Sequence, residues 1–261
     1  MRGARKRFTR TQRIAFTVVN LTLFFLAWEF IPVWFDVPPI FLPQLSAVLD
    51  QIVEMNAEGV LIPNILKSLQ VYLIGMAIAI ATSIPLGLLL GAVKTLDRVM
   101  SPYLWAVYTT PLIILMPLVL LWVGINDRAR VVLVIVSAVP AIIVVVMEGV
   151  KTVDPSLLRA ARSFGADRRR LFMRVVFPST IPFIATGVKM GISRGLIGLF
   201  VGELFTSQDG IGFIIELAQK VFNTPRVYAM LMIFVIFSLT MVGTAQYIER
   251  RVSAWRSQAS V

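Results

Sequence analysis

Cysteine and histidine are both absent from the 261 residues. Their absence excludes disulfides, thiolate nucleophiles, imidazole acid–base chemistry and the usual zinc, haem and iron–sulfur ligation. An enzyme built from this chain would rest on carboxylates and lysines, and no carboxylates stand paired at catalytic spacing. Catalytic residues, metal ligands and a bound cofactor are therefore expected to be lacking. No G-x-x-x-x-G-K-[ST] occurs, so the chain has no Walker cradle for nucleotide phosphates. Charge is scarce too: 15% of residues are charged and 57% hydrophobic, with mean hydropathy +0.83, whereas soluble domains carry about a quarter charged residues. This is the composition of an integral membrane protein, and any work it does draws energy from elsewhere.

Carboxylates are the rarer charge, 14 against 25 Lys and Arg, for a net +11. The basic residues cluster in short segments between apolar runs, which is the pattern of cytoplasmic loops rather than of a nucleic-acid binder. Six runs reach the roughly 20 residues a bilayer-spanning helix needs: about 14–35, 66–92, 102–124, 130–148, 180–204 and 227–248. The expected fold is all-α, a polytopic bundle of six transmembrane helices in a multi-pass membrane protein. The basic segments before span one and after spans two, four and six alternate as the positive-inside rule requires, while 36–63 holds Asp36, Asp50, Glu54 and Glu58 without Lys or Arg. Both termini are expected to be cytoplasmic. The start, MRGARKRFTRTQRI, imitates a secretory signal but lacks a small-x-small cleavage site, and its apolar run reaches spanning length, so it reads as a retained first helix. This gives a basic segment 1–13, a single transmembrane domain 14–250 containing a cytoplasmic loop 149–179, and a tail 251–261. Residues 43–57, capped near Ser46, are expected to form a short helix on the outer surface.

One polar insert, 148–178, EGVKTVDPSLLRAARSFGADRRRLFMRVVFP, interrupts the apolar sequence. Asp154-Pro155 starts a helix, because the carboxylate accepts a free N–H and Pro gives up a donor that had no partner. Gly165 stops it. Between them Leu157, Ala160, Ala161 and Phe164 recur at i, i+3, i+4 and i+7 as one apolar stripe, with Arg159 and Arg162 facing elsewhere. A second helix runs from about Asp167 to Phe177-Pro178 and leads into span five. Two readings stand for the insert: an amphipathic loop resting on its own bundle or on anionic lipid, or a helix that docks on another protein.

Ala160-Ala161, Gly165, Val175 and Phe177-Pro178 resemble the E-A-A, three residues, G, nine residues, I-x-L-P signature of permease subunits in bacterial ATP-binding cassette importers. Trp28-Glu29, the 85–91 stretch PLGLLLG, Pro111, the 121–125 stretch LWVGI and the 210–214 stretch GIGFI resemble the branch serving nitrate, sulfonate, taurine and similar small anions. Arg159 departs from the signature by standing where its Glu falls, Val175 stands for the Ile and Phe177 for the Leu; 42–46, LPQLS, departs from the branch's Pro-Ser-Pro. The resemblance implies a type I importer permease fold and a subunit that pairs with a second permease chain, a homodimer on this reading. Two cytoplasmic ATPase subunits using ATP and Mg would drive it, and an extracytoplasmic binding protein would supply the solute. It also makes 155–165 the coupling helix, with Pro155, Leu157, Leu158, Ala160, Ala161, Phe164 and Gly165 as its contact and end residues. The alternative is a secondary transporter driven by an ion gradient, against which the paucity of inward carboxylates argues.

Span five carries glycines at 187, 191, 195, 198 and 202 within an arc of about 80°, a face for close helix packing. Arg194 projects beside that arc, either as a pathway residue that stabilises an anion or in a structural ion pair with Glu203, Glu148 or Glu29. Lys189 lies on the opposite arc, where its stem can snorkel to water. Glu203 falls near the outer end, where it is expected to line a vestibule. Pro111, Pro117 and Pro140 bend spans three and four around a cavity or merely kink them.

Overall fold

The computed structural model describes residues 10–206 and 208–252; the basic residues at 2–7, most of the 1–13 segment and the end of the 251–261 tail lie outside the described residues. Among the described residues there is helix and no strand. The helices are α1 (Arg10–Trp34), α2 (Leu45–Ala57), α3 (Leu61–Ala92), α4 (Lys94–Thr109), α5 (Leu112–Val123), α6 (Asp127–Lys151), α7 (Pro155–Ser163), α8 (Arg168–Leu171), α9 (Phe177–Thr206), α10 (Ile211–Lys220) and α11 (Thr224–Val252). A π-helical turn, Phe172–Val176, joins α8 to α9, so Arg168–Thr206 runs on as one 39-residue helix. Among the described residues five helices are long and apolar enough to cross a membrane, six spans if α4 and α5 count as one broken span. The span expected over 102–124 is broken ahead of α5, at Pro111: α4 and α5 meet at 101°. Pro111 lacks an N–H and takes an extended backbone (φ −58°, ψ 125°) ahead of α5. Pro117 and Pro140 lie within α5 and α6 and do not interrupt them.

The described residues gather into two compact groups, one of residues up to Leu61 with Ile215–Met232 and one of Ile62–Ile214 with Ile233 onward. In the first group α1 is exposed along most of its length, as a lipid-facing helix would be. Its Glu29 caps α2, accepting the Ser46 backbone N–H at 2.9 Å and the Ser46 hydroxyl at 2.8 Å. Ser46 is therefore a donor inside the first turn rather than the cap. The loop between α1 and α2 is clasped from α11, where the Thr224 hydroxyl donates to the Ile40 carbonyl and Tyr228 OH to the Phe41 carbonyl, while Arg226 holds the far end of α2 by pairing with Glu58 at 2.7 Å.

In the second group α6 is the core. Leu133, Val134, Ala138, Ala141, Ile142, Val146 and Met147 are fully buried on it. Two helices reach it through glycine. On α3, Gly75, Gly87 and Gly91 lie so close to Val134, Val146 and Val150 that a Cβ would fall 2.6–2.8 Å from their Cβ atoms. On α9, the glycine arc meets α6 as well, and a Cβ on Gly198 would stand 2.5 Å from the Leu133 carbonyl oxygen. Close packing is thus the work of the glycine arc.

Candidate functional site

Helix α7 starts where the Asp154 carboxylate accepts the Ser156 N–H at 2.7 Å, a bond that holds this carboxyl below its ordinary range. Pro155 occupies the first position, where no intrahelical partner for an N–H exists. At the other end Gly165 sits at φ +77°, its N–H donating to the Arg162 carbonyl at 2.9 Å and the Ala166 N–H to the Ala161 carbonyl at 3.0 Å. This crossed pair is a Schellman closure. A Cβ at Gly165 would meet nothing within 4 Å, so backbone angle rather than space calls for glycine. Helix α7 touches α8 and the π-turn; Leu158 and Ala161 are half-buried and Ala160 is exposed. Leu157 remains 52% exposed and Phe164 92% exposed. Leu157 also lines a groove of about 270 Å³ with Gly149, Val153, Pro182 and Phe183. An aromatic ring left bare at a capped helix end is a ready anchor for another protein.

The break between α4 and α5 borders a second feature, a cavity of about 420 Å³ lined by Tyr108, Thr109, Thr110, Ser137, Pro140 and Arg194, with aliphatic walls. Arg194 is exposed, and its guanidinium lies 5.2 Å from the Tyr108 ring centre, a cation–π contact. The acids weighed as its partners are engaged elsewhere: Glu29 with Ser46, Glu148 with Lys151 at 3.1 Å, and Glu203 with Ser68 and Gly212. Among the described residues no carboxylate pairs with Arg194. Tyr108 was not singled out from sequence, because it stands on α4, some 86 positions from Arg194, and only the tertiary fold brings the two together.

Glu203 does not line a vestibule. Its side chain is fully buried, accepting the Ser68 hydroxyl at 2.5 Å and the Gly212 N–H at 2.8 Å. It fills the hollow under Gly210, whose φ is +105° and whose Cβ would fall 2.6 Å from a Glu203 carboxylate oxygen. Asn64 accepts the Gly210 N–H and Ser68 the Ile211 N–H, fixing the start of α10. Beside this cluster lies a charge network that sequence reasoning missed. Arg130, 1% exposed, pairs with Asp127 and with Asp209, the latter at 2.7 Å, while Lys67 holds Asp127 at 2.5 Å. The one local signal was an Asp–Arg pair three residues apart at a span's edge. Lys189, partly exposed, pairs with Glu249 of α11 at 2.7 Å, and Thr186 donates to the same carboxylate at 3.0 Å.

The residues expected to form a coupling helix therefore share one short capped element. Arg194 and Glu203, nine residues apart on α9 or about 14 Å along its axis, serve separate places.

The family described as binding-protein-dependent transport system inner membrane component matches residues 83–254. A Brucella abortus (strain 2308) protein named as a probable ABC transporter permease protein is 28% identical over 218 residues, spanning 84% of this chain and 87% of that protein. The taurine transport system permease protein TauC of Escherichia coli (strain K12) is 23% identical over 257 residues, 97% of this chain and 94% of that protein. Among solved structures, a chain from inward facing conformations of the MetNI methionine ABC transporter matches at TM-score 0.64 and 20% identity, covering 76% of this chain and 98% of that one. That last likeness is one of fold.

Proposed function

Because the chain belongs to the family of binding-protein-dependent transport system inner membrane components, we propose that it is the permease subunit of an ATP-driven importer for a small anion of the sulfonate, taurine or nitrate kind. One observation carries the reading: the family match encloses a short helix, capped at Asp154 and closed at Gly165, that leaves Leu157 and Phe164 bare. The relatives' names support the substrate class, and the family match leaves the ion-gradient-driven alternative without support. The permease domain spans 14–250 in the inner membrane, its termini and α7 cytoplasmic, and works as a pair of permease chains.

In this mechanism α7 sits in a groove of the partner ATPase, with Phe164 and Leu157 as apolar anchors. ATP and Mg act in that partner, and this chain has no catalytic role. Closure of the ATPase pair moves both coupling helices, and the permease pair turns outward to accept solute from the extracytoplasmic binding protein. Arg194, beside Tyr108 and the hydroxyls of Thr109 and Thr110, supplies the positive charge along the path.

Co-purification tests the core of this. The tagged chain is taken from the membrane as wild type and as a Leu157→Asp, Phe164→Asp double variant. An ATP-binding cassette subunit is expected with the first and lost from the second. A wild-type chain that purifies alone defeats the importer assignment.

A further inference from the structure

Four cations of α3, α6 and α9 have carboxylate partners: Lys67 pairs with Asp127 at 2.5 Å, Arg130 with Asp209 at 2.7 Å, Lys151 with Asp97 at 2.8 Å and Lys189 with Glu249 at 2.7 Å. Arg194 is different. Among the described residues its guanidinium meets no carboxylate, and its one contact is the face of the Tyr108 ring, 5.2 Å away. An aromatic face attracts a cation without neutralising it. The charge is open to a partner from outside the chain.

The cavity that Arg194 borders, about 420 Å³, is small for a ligand site, a class that runs to roughly 1,000 Å³. Among the described residues that line it, Arg194 alone is charged, and Leu112, Ile113, Val136, Ile197 and Val201 give it aliphatic walls. The hydroxyls of Thr109 and Thr110 spend their protons on α4 itself, donating to the Trp105 and Ala106 carbonyls at 2.8 and 2.7 Å. Their oxygens can still accept, but they hold no net charge. One negative charge on a guest therefore balances the site, and a second charge of either sign finds no counterpart. An ammonium on the guest's tail would lie within a few ångströms of the guanidinium that holds its head, where a like charge is repelled. A methyl in its place removes the repulsion and adds apolar area for the walls to cover.

We infer that this cavity filters solutes by the charge of the tail: it admits a monoanion whose remainder is uncharged, of the alkanesulfonate kind, and resists one whose tail carries an ammonium. Arg194 seats the acid head beside Tyr108, and Ile113, Ile197 and Val201 take the methylenes. Nitrate, having no tail, leaves the aliphatic walls uncovered. The filter belongs to the permease and acts after any choice made by a binding protein. This rests on the reading of Arg194 as a residue of the solute path and narrows the substrate class given with it.

The test compares two solutes of one shape, propane-1-sulfonate and taurine, which differ by a methyl against an ammonium. The full-length chain is purified in detergent with the ATPase it retains and without binding protein. Its melting temperature is followed against each solute, with ionic strength made equal by sodium chloride, and the stabilisation gives an apparent Kd. Wild type is expected to bind propane-1-sulfonate about tenfold or more tighter than taurine. Arg194→Met should lose both. Ile113→Asp, at a lining residue 54% exposed, places a carboxylate on the wall without opening the core and should cut the preference about tenfold or reverse it. Melting at the wild-type temperature without solute shows that the variants fold. Equal binding of the two solutes, lost in Arg194→Met, overturns the filter and leaves Arg194 on the path. A preference that Ile113→Asp leaves unchanged overturns the filter as well, because the cavity is then not reading the tail's charge. Binding that Arg194→Met retains, or no binding of either solute by wild type, overturns both the filter and the place of Arg194 on the path.

Discussion

Replacing Gly198 by alanine puts the packing of α6 against α9 to a quantitative test. The added Cβ would stand 2.5 Å from the Leu133 carbonyl oxygen and 2.6 Å from the Ser137 hydroxyl. A carbon and a carbonyl oxygen rest comfortably at about 3.3 Å, so the helices must part by about 0.8 Å at this level. The nearest atom is main chain and cannot rotate aside. Overpacking of this kind costs about 1–3 kcal/mol, against which alanine returns about 0.8–1 kcal/mol of helix propensity over glycine. Gly243, on the exposed side of α11, is the matched control, because a Cβ there meets nothing within 4 Å, and its alanine variant collects only the propensity gain. The two variants should therefore differ by about 1–3 kcal/mol, or roughly 2–10 °C in melting temperature. Intrinsic tryptophan fluorescence of the detergent-purified protein follows this through the chain's five Trp residues. A Gly198→Ala protein that melts at or above the Gly243→Ala protein would refute the argument that these backbones meet.

Arg194→Met should lower transport of an anionic solute in reconstituted vesicles while leaving the ATPase bound; transport at unchanged affinity would remove Arg194 from the path. Lys189→Met leaves the Glu249 carboxylate with Thr186 alone and should cost roughly 1.5–3 kcal/mol, most of it recovered in the Lys189→Met, Glu249→Gln double variant; chemical unfolding measures the cycle, and additive losses would show that the pair is not coupled. Asp154 has its acidity raised by the Ser156 hydrogen bond, so its contribution is complete above the ordinary carboxylate range and is lost as pH falls through the depressed folded value. Hydrogen exchange at the Ser156 amide, corrected for its intrinsic rate, should show protection falling only on that acid side, and protection independent of pH would exclude the cap.

Apolar run length was enough to find the spans, because lipid imposes it residue by residue; α3, α6, α9 and α11 exceed the sequence estimates by a few polar residues at their ends. Helix α7 was legible for a different reason: Asp154, Pro155 and Gly165 each act on their own backbone, and local chemistry reads directly from local sequence. Tertiary consequences were not legible. Nothing near Tyr108 in the chain signals that its ring will lie against Arg194. Glu203, Lys189 and Arg130 illustrate the same limit, since a charge in an apolar run announces that it needs a partner without saying where in the chain the partner is.

The glycine contacts that α3 and α9 make with α6 also bear on how this molecule can move. Where two helices meet through long side chains, rotamer changes let one creep past the other; where main chain meets main chain, a shift of even part of a turn drives Val or Ile branches into carbonyl oxygens. Helices α3, α6 and α9 are consequently laminated into one stiff plate. Motion within this group must be taken up at its margins, and the hinge best placed for it is the elbow at Thr110 and Pro111, where a helix has already been cut.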